Sequence, residues 1–141
     1  MKKLFVLTFA FMVIGLVSKA QCDGVTKWTC TKMKIVDASG NTVQEKDENV
    51  IVLAGSKNID VAPEDQQDHM TGVVSDYICQ WTEPGKNGKT IVKSDVTDAG
   101  GKLRHATITI EGINGKITIT LEAPEETTKI VLDVKSYEVV K

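Results

Sequence analysis

The chain has 141 residues, of which 41% are hydrophobic and 26% are charged, a length and composition typical of one folded domain with one core. Its formal net charge is −2, and Arg104 is its only arginine. Because the sequence contains no block of basic residues, we do not expect nucleic acid as a partner.

Residues 1–20 have the pattern of a cleavable signal peptide. After a cationic start, the uncharged apolar run over 4–17 is shorter than the roughly 20 residues that a membrane-spanning helix needs. Small residues at Ser18 and Ala20 fit the positions that signal peptidase reads, so the pattern predicts cleavage after Ala20. Without this leader, which holds three of the 17 basic residues and none of the 19 acidic ones, 121 residues with a net charge of −5 would remain. We expect residues 21–141 to form a single periplasmic or secreted all-β domain with no integral membrane segment.

The first half of this domain predicts strands of uneven length. Apolar residues recur over 26–36, and an Asp-Ala-Ser-Gly-Asn run of turn-forming residues ends that segment. Two short strands are predicted at 42–46 and 50–54, and another at 58–61. Residues 62–70 have a proline near their start followed by acids, which suits one or two turns of helix, although a polar loop fits the same residues equally.

The clearest pattern is a hairpin in the second half. Apolar and polar residues alternate over 103–112 and again over 116–121, and Asn114-Gly115 stands between the two runs. This dipeptide is preferred in two-residue type I′ turns because both positions take positive φ. Pairing about that turn sets apolar residues opposite apolar ones and polar opposite polar. The predicted pairs are Ile110 with Ile119, Ile108 with Leu121, and Thr109 with Thr120.

Further strands are predicted at 73–82, 90–96 and 128–139, with glycine-containing turns at 87–88 and 100–101. Short connections of this kind join sequential antiparallel neighbours, so the last five strands form an up-and-down meander. About eight strands in roughly 120 residues predict a small antiparallel up-and-down barrel, with a β-sandwich as the alternative.

Three cysteines follow the leader. In an oxidising compartment an odd number leaves either one bridge and a spare thiol or three free thiols. The segments Trp-Thr-Cys, ending at Cys30, and Cys-Gln-Trp, beginning at Cys79, mirror each other, whereas Cys22 would lie at the loose start of the mature chain. We therefore predict a Cys30–Cys79 bridge. A lipid-modified cysteine usually follows a small residue and has an apolar residue three positions before it. Here those positions are Gln21 and Lys19, so we do not expect lipidation of Cys22.

Two histidines are the candidates for metal or catalytic chemistry. If residues 62–70 are helical, His69 shares a face with Asp65, and a metal site is one interpretation. A solvated acidic surface explains the same residues, and we favour it. No motif sets a nucleophile beside His105, which alternation assigns to the outer face of its strand. We expect no catalytic residue, no metal site, no cofactor and no enzymatic activity.

Several segments resemble the small bacterial lipocalin-like secreted proteins. They are the early tryptophan segment Lys27-Trp28-Thr29, the segment 79–84 followed by Asn-Gly at 87–88, and the Ile-Thr-Ile-Glu-Gly hairpin segment at 108–112. The resemblance implies an eight-stranded barrel with one open end, able to hold a small apolar ligand.

An empty barrel lined by Trp28, Tyr77 and Trp81 would favour ligand binding, so these are the predicted ligand-binding residues. The expected function is that of an exported lipocalin-like binding protein for a small apolar ligand. The alternative is a β-sandwich interaction or structural module of the cell envelope, with a packed centre and a functional outer face.

Overall fold

A computed structural model describes residues 22–64 and 69–140, which form one closed antiparallel β-barrel. Each strand pairs with the next along the chain and the last pairs with the first, so the prediction of an up-and-down barrel is confirmed and the sandwich alternative is wrong. The leader at 1–20 lies outside the described residues. The strands are β1 (Val25–Val36), β2 (Thr42–Ala54), β3 (Asn58–Pro63), β4 (Met70–Glu83), β5 (Asn87–Thr97), β6 (Leu103–Ile113), β7 (Lys116–Glu122) and β8 (Lys129–Val140).

The β6–β7 hairpin has the predicted register. Asn114 and Gly115 take φ values of 51° and 86°, as a type I′ turn requires. The ladder then sets Ile110 opposite Ile119, Ile108 opposite Leu121 and Thr109 opposite Thr120. The four apolar members of these pairs are buried in the core, which confirms the assignment of faces.

The strands predicted separately at 42–46 and 50–54 are one continuous strand, β2. The polar run at 47–49 suggested a break, but the ladder with β1 continues through it with a register shift. On this exposed part of the sheet, Lys32 Nζ lies 3.0 Å from Glu45 Oε1. Opposite charges on neighbouring strands favour the pairing of these polar segments, so the strand does not need apolar residues there.

The connection between β3 and β4 is only partly described. β3 extends to Pro63 and β4 begins at Met70, so both strands are longer than predicted. Residues 62–63 belong to β3 and residue 70 to β4, so the interpretation of 62–70 as a helix is wrong at both ends of that range. For residues 65–68, which lie outside the described part of the chain, the choice between helix and loop stays untested. β3 pairs only with residues 70–73 of β4, so in the described chain the rest of β4 has no β3 partner.

The barrel has two ends of different character. We call one the aromatic end, where β1 begins and β4, β6 and β8 end. The other end, where β5 and β7 end and β6 and β8 begin, contains an open cavity, and we call it the cavity end. Between them lies a core of aliphatic side chains, among them Val52, Val92, Ile108, Ile110, Ile119 and Leu132. Within the described ranges, no helix has the length and apolar character that a membrane span requires.

Replacement of Ile110 by Ala should lower the free energy of unfolding by about 2–5 kcal/mol, because it leaves a cavity in this core. Thr109→Ala is the matched control on the opposite face of the same strand and should cost well under that. Chemical denaturation of both variants measures the difference. Equal losses would contradict the assignment of faces in β6.

Candidate functional site

Three aromatic rings fill the interior at the aromatic end. Trp28 on β1 stacks on Trp81 of β4, with ring centroids 5.9 Å apart, and on Tyr137 of β8, with centroids 5.0 Å apart. The indole N–H of Trp81 donates to Thr90 Oγ1 at 2.7 Å inside the barrel. Only 1% of the surface of Trp28 is exposed, and its indole N–H has no hydrogen-bond partner among the described residues. This end of the barrel is therefore packed.

Two turns close over the aromatic end. The carbonyl of Lys86, between β4 and β5, accepts a hydrogen bond from the N–H of Gly115 at 3.2 Å. The side-chain oxygen of Asn87 accepts another from the N–H of Asn114 at 2.9 Å. Because these bonds join the β4–β5 turn to the β6–β7 turn, the two hairpins hold each other over the rings.

Glycines allow the backbone to approach these rings closely. A Cβ at Gly112 would lie 2.8 Å from Trp81 Cζ3, and a Cβ at Gly85 would overlap the ring of Tyr137. Gly85 also has a φ of 71°, which L side chains rarely adopt. A side chain at either position would therefore displace a ring.

The three predicted ligand-binding residues lie in or beside this packed cluster. Trp28 and Trp81 are buried, and Tyr77, two inward positions before Trp81 on β4, is half-buried. Burial, and then the nearby charge of Asp23, raise the pKa of Tyr77. The cavity at the other end of the barrel is lined by other residues. The binding role of the three aromatic residues stays a prediction.

The predicted Cys30–Cys79 bridge is wrong, because Cys79 is bonded to Cys22 with a Cα–Cα distance of 5.7 Å. The tryptophans of the two motifs do meet across the interior. However, β1 pairs with β2 and β8 rather than with β4, so no ladder sets Cys30 opposite Cys79. Cys22 precedes β1 and lies outside the ladders, so it can reach the part of β4 that β3 does not cover. A Cys22 sulfur in this bridge carries no lipid.

Cys30 is a buried free thiol in the core. Its ladder partners are Val50 on β2 and Val134 on β8. Burial, with a smaller contribution from the charge of Asp133, raises its pKa to about 12. Since the thiolate is the reactive form, this thiol is inert in the folded protein near neutral pH.

A cavity of about 350 Å³ opens at the cavity end. Its volume is at the lower end of the range of about 300–1,000 Å³ that is common for ligand sites. Apolar side chains form most of its wall, and charged side chains stand at its rim. The apolar residues are Ile35, Met70, Val96, Ala106, Leu121, Ala123 and Ile130, and the charged ones are Asp98, Arg104, Glu122 and Glu126.

The Arg104 guanidinium joins two loops at the rim of this cavity. Its Nε lies 3.4 Å from Asp98 Oδ2 in the β5–β6 turn, and its Nη1 contacts Glu126 Oε1 in the β7–β8 connection. Asp98 is itself fixed, because Oδ1 accepts the backbone N–H groups of Gly100 and Lys102 at 3.0 and 2.9 Å. The Lys102 hydrogen bond is the main cause that lowers the pKa of Asp98, with help from Arg104.

Sequence reasoning missed Arg104 as a residue of the site, although a signal for it was present. The predicted inward face of β6 includes Ala106 and Ile108, and one more step of the same alternation reaches Arg104. The contact with Glu126 could not be foreseen, because Glu126 lies in the irregular β7–β8 connection, whose path the alternation does not determine.

Each of the two histidines pairs with one carboxylate of its own. His69 Nε2 lies 2.9 Å from Asp60 Oδ1, and His105 Nδ1 lies 2.5 Å from Asp95 Oδ1 on the outer surface. Asp65, the predicted helical neighbour of His69, lies outside the described residues. In residues 22–64 and 69–140, no three His, Cys, Asp or Glu side chains form a group that could hold a metal.

Non-reducing peptide mapping should find Cys22 linked to Cys79, with Cys30 alkylated only after denaturation. Reduction of the bridge, which spans a sequence separation of 57 residues, should lower the free energy of unfolding by about 4 kcal/mol, because the unfolded chain gains freedom. A peptide that links Cys30 to Cys79 would contradict the structure.

The hydrogen bond and charge of Asp95 raise the pKa of His105 above its usual range. A His pKa raised by folding gives a stabilisation that is fully present below the unfolded-state pKa and is lost as pH rises through the folded-state pKa. A titration of the imidazole proton shifts by NMR should therefore give a lower His105 pKa in Asp95→Asn than in the wild type. Identical titrations would mean that the pair does not form in solution.

Comparisons of this chain with protein-family models, with curated proteins and with solved structures find no match. The features that bear on function are the packed aromatic end, the apolar cavity opposite and the charged side chains at the cavity rim.

Proposed function

We propose that this protein binds a small, mainly apolar molecule in the cavity at the cavity end, as an exported binding protein without catalytic activity. The observation that carries the proposal is the cavity of about 350 Å³ with a mainly apolar wall. An apolar concave site with a few polar groups at its edge is the usual form of a small-molecule site.

The wall supports this proposal because its apolar side chains are incompletely covered. Met70, Ala106 and Ile130 are only partly buried, although they continue the inward faces of their strands. A ligand that removed about 100 Å² of apolar surface from water would gain about 2.5 kcal/mol from this contact alone. Two further clefts suit an apolar molecule less well. One, of about 410 Å³ beside the β2–β3 turn, has Asp23 and Lys57 among its lining residues. The other, of about 420 Å³, is lined by polar and charged residues.

Export is supported by two independent features. The Cys22–Cys79 disulfide is consistent with an oxidising compartment outside the cytoplasm, and the 1–20 segment has the pattern of a signal peptide.

We expect the intact mass of the protein from its host to correspond to a chain that begins at Gln21. A mass that includes the leader would contradict cleavage, and one with added acyl chains on Cys22 would contradict the bridge.

A titration with the neutral fluorophore N-phenylnaphthylamine tests binding. The wild type should enhance and blue-shift its emission at a single site. Ala106→Phe, which fills the cavity, should weaken binding about tenfold or more. Val73→Phe is the control, because Val73 is 71% exposed on the outer face of β4, and it should bind as the wild type does.

Absence of binding by the wild type would overturn the proposal. Equal binding by the wild type and Ala106→Phe would move the site away from the cavity. Thermal unfolding of all three proteins identifies any variant that has simply lost its fold.

A further inference from the structure

We propose that the ligand of this cavity is an amphipathic monocarboxylate, whose apolar chain fills the cavity and whose carboxylate binds Arg104 in place of Glu126. This inference rests on the proposed function and adds the chemical class of the ligand. It depends on where the guanidinium lies, how its partners are held and how charge is distributed at the rim.

Arg104 belongs to the inner wall of the barrel. It continues the inward alternation of Ala106 and Ile108 on β6, and its ladder partner is the buried Val96 of β5. Its side chain is only 27% exposed, and it lines the cavity directly. An apolar chain in the cavity would therefore have the guanidinium at its outer end.

The two carboxylates that contact Arg104 are held very differently. Asp98 is fixed by two backbone N–H groups, those of Gly100 and Lys102, and it contacts Nε. Glu126 comes from the connection between β7 and β8, and its side chain is 42% exposed. Asp98 thus orients the guanidinium, whereas Glu126 holds it from a solvent-accessible position.

Glu126 is the partner that a ligand can replace. An ion pair so accessible to water contributes little to stability, because both groups are well solvated when apart. A ligand carboxylate would make the same charge-assisted contact with Nη1 and would also bury its chain. A guanidinium has five N–H donors in a fork that matches a carboxylate. In the described part of the chain, the carboxylates of Asp98 and Glu126 contact Nε and Nη1.

The rim charges limit the ligand to one negative charge. Lys129 pairs with Glu122 beside the cavity, so Arg104 with its two carboxylates leaves one excess negative charge. A single carboxylate that takes the place of Glu126 leaves the charge around the guanidinium unchanged, whereas a dianion would add to the excess. A cationic ligand would place its charge next to the guanidinium, which would repel it.

Competition between decanoate and the neutral decanol for bound N-phenylnaphthylamine tests this inference, since the two compounds share one alkyl chain. The wild type should bind decanoate about tenfold more tightly than decanol. Arg104→Gln should abolish that preference, and Arg104→Lys should retain part of it because it keeps the charge. Glu126→Gln should increase the preference for decanoate over decanol, because the ligand carboxylate no longer competes with Glu126 for the guanidinium. Glu111→Gln, which removes the partner of Lys89 at 2.9 Å on the outer face, should change neither.

Equal binding of decanoate and decanol by the wild type, unaffected by Arg104→Gln, would overturn this inference and leave the proposed function intact. If the wild type binds neither the fluorophore nor either compound, the proposed function fails and the inference fails with it. Circular dichroism spectra that match the wild type show that the Arg104 variants are folded, and Glu126→Gln tests the same contact without changing the arginine.

Discussion

The pairing of β8 with β1 is the constraint on which the rest of the structure depends. It extends from Val25 opposite Val140 to Val36 opposite Lys129, with two register shifts, and it turns a meander into a closed wall. Once the sheet is closed, every second side chain faces a narrow interior. Each inward residue must then either pack against others or border a cavity, and this chain does both at opposite ends.

The size of the inward side chains decides which end is filled. At the aromatic end, Trp28, Trp81 and Tyr137 stack across the interior, and glycines let the backbone approach them. At the cavity end, smaller residues such as Val96 and Ala106 face inward and leave space between them. Packing at one end supplies stability, and incomplete packing at the other leaves apolar surface that a ligand can cover.

Local patterns predicted the fold better than they predicted the site. The Asn114-Gly115 turn and the alternation around it determine one hairpin, and similar short turns extend it into the meander, so the barrel followed from neighbour-to-neighbour rules. The Cys22–Cys79 bridge did not follow, because it joins a segment before β1 to a strand that is not its neighbour. Alternation identifies inward residues but does not say which end of the barrel remains empty. That outcome depends on how rings from three separate strands fit together.

The position of a bound apolar molecule tests the central claim most directly. NMR spectra of the methyl groups (carbon–proton) and of the indole groups (nitrogen–proton), recorded during addition of N-phenylnaphthylamine, report on both ends of the barrel. The account predicts shifts at the methyl groups of Met70, Ala106 and Ile130, with the Trp28 indole N–H signal unchanged. Shifts confined to the Trp28 indole and Ile59 at the aromatic end, with those methyl groups unaffected, would contradict it.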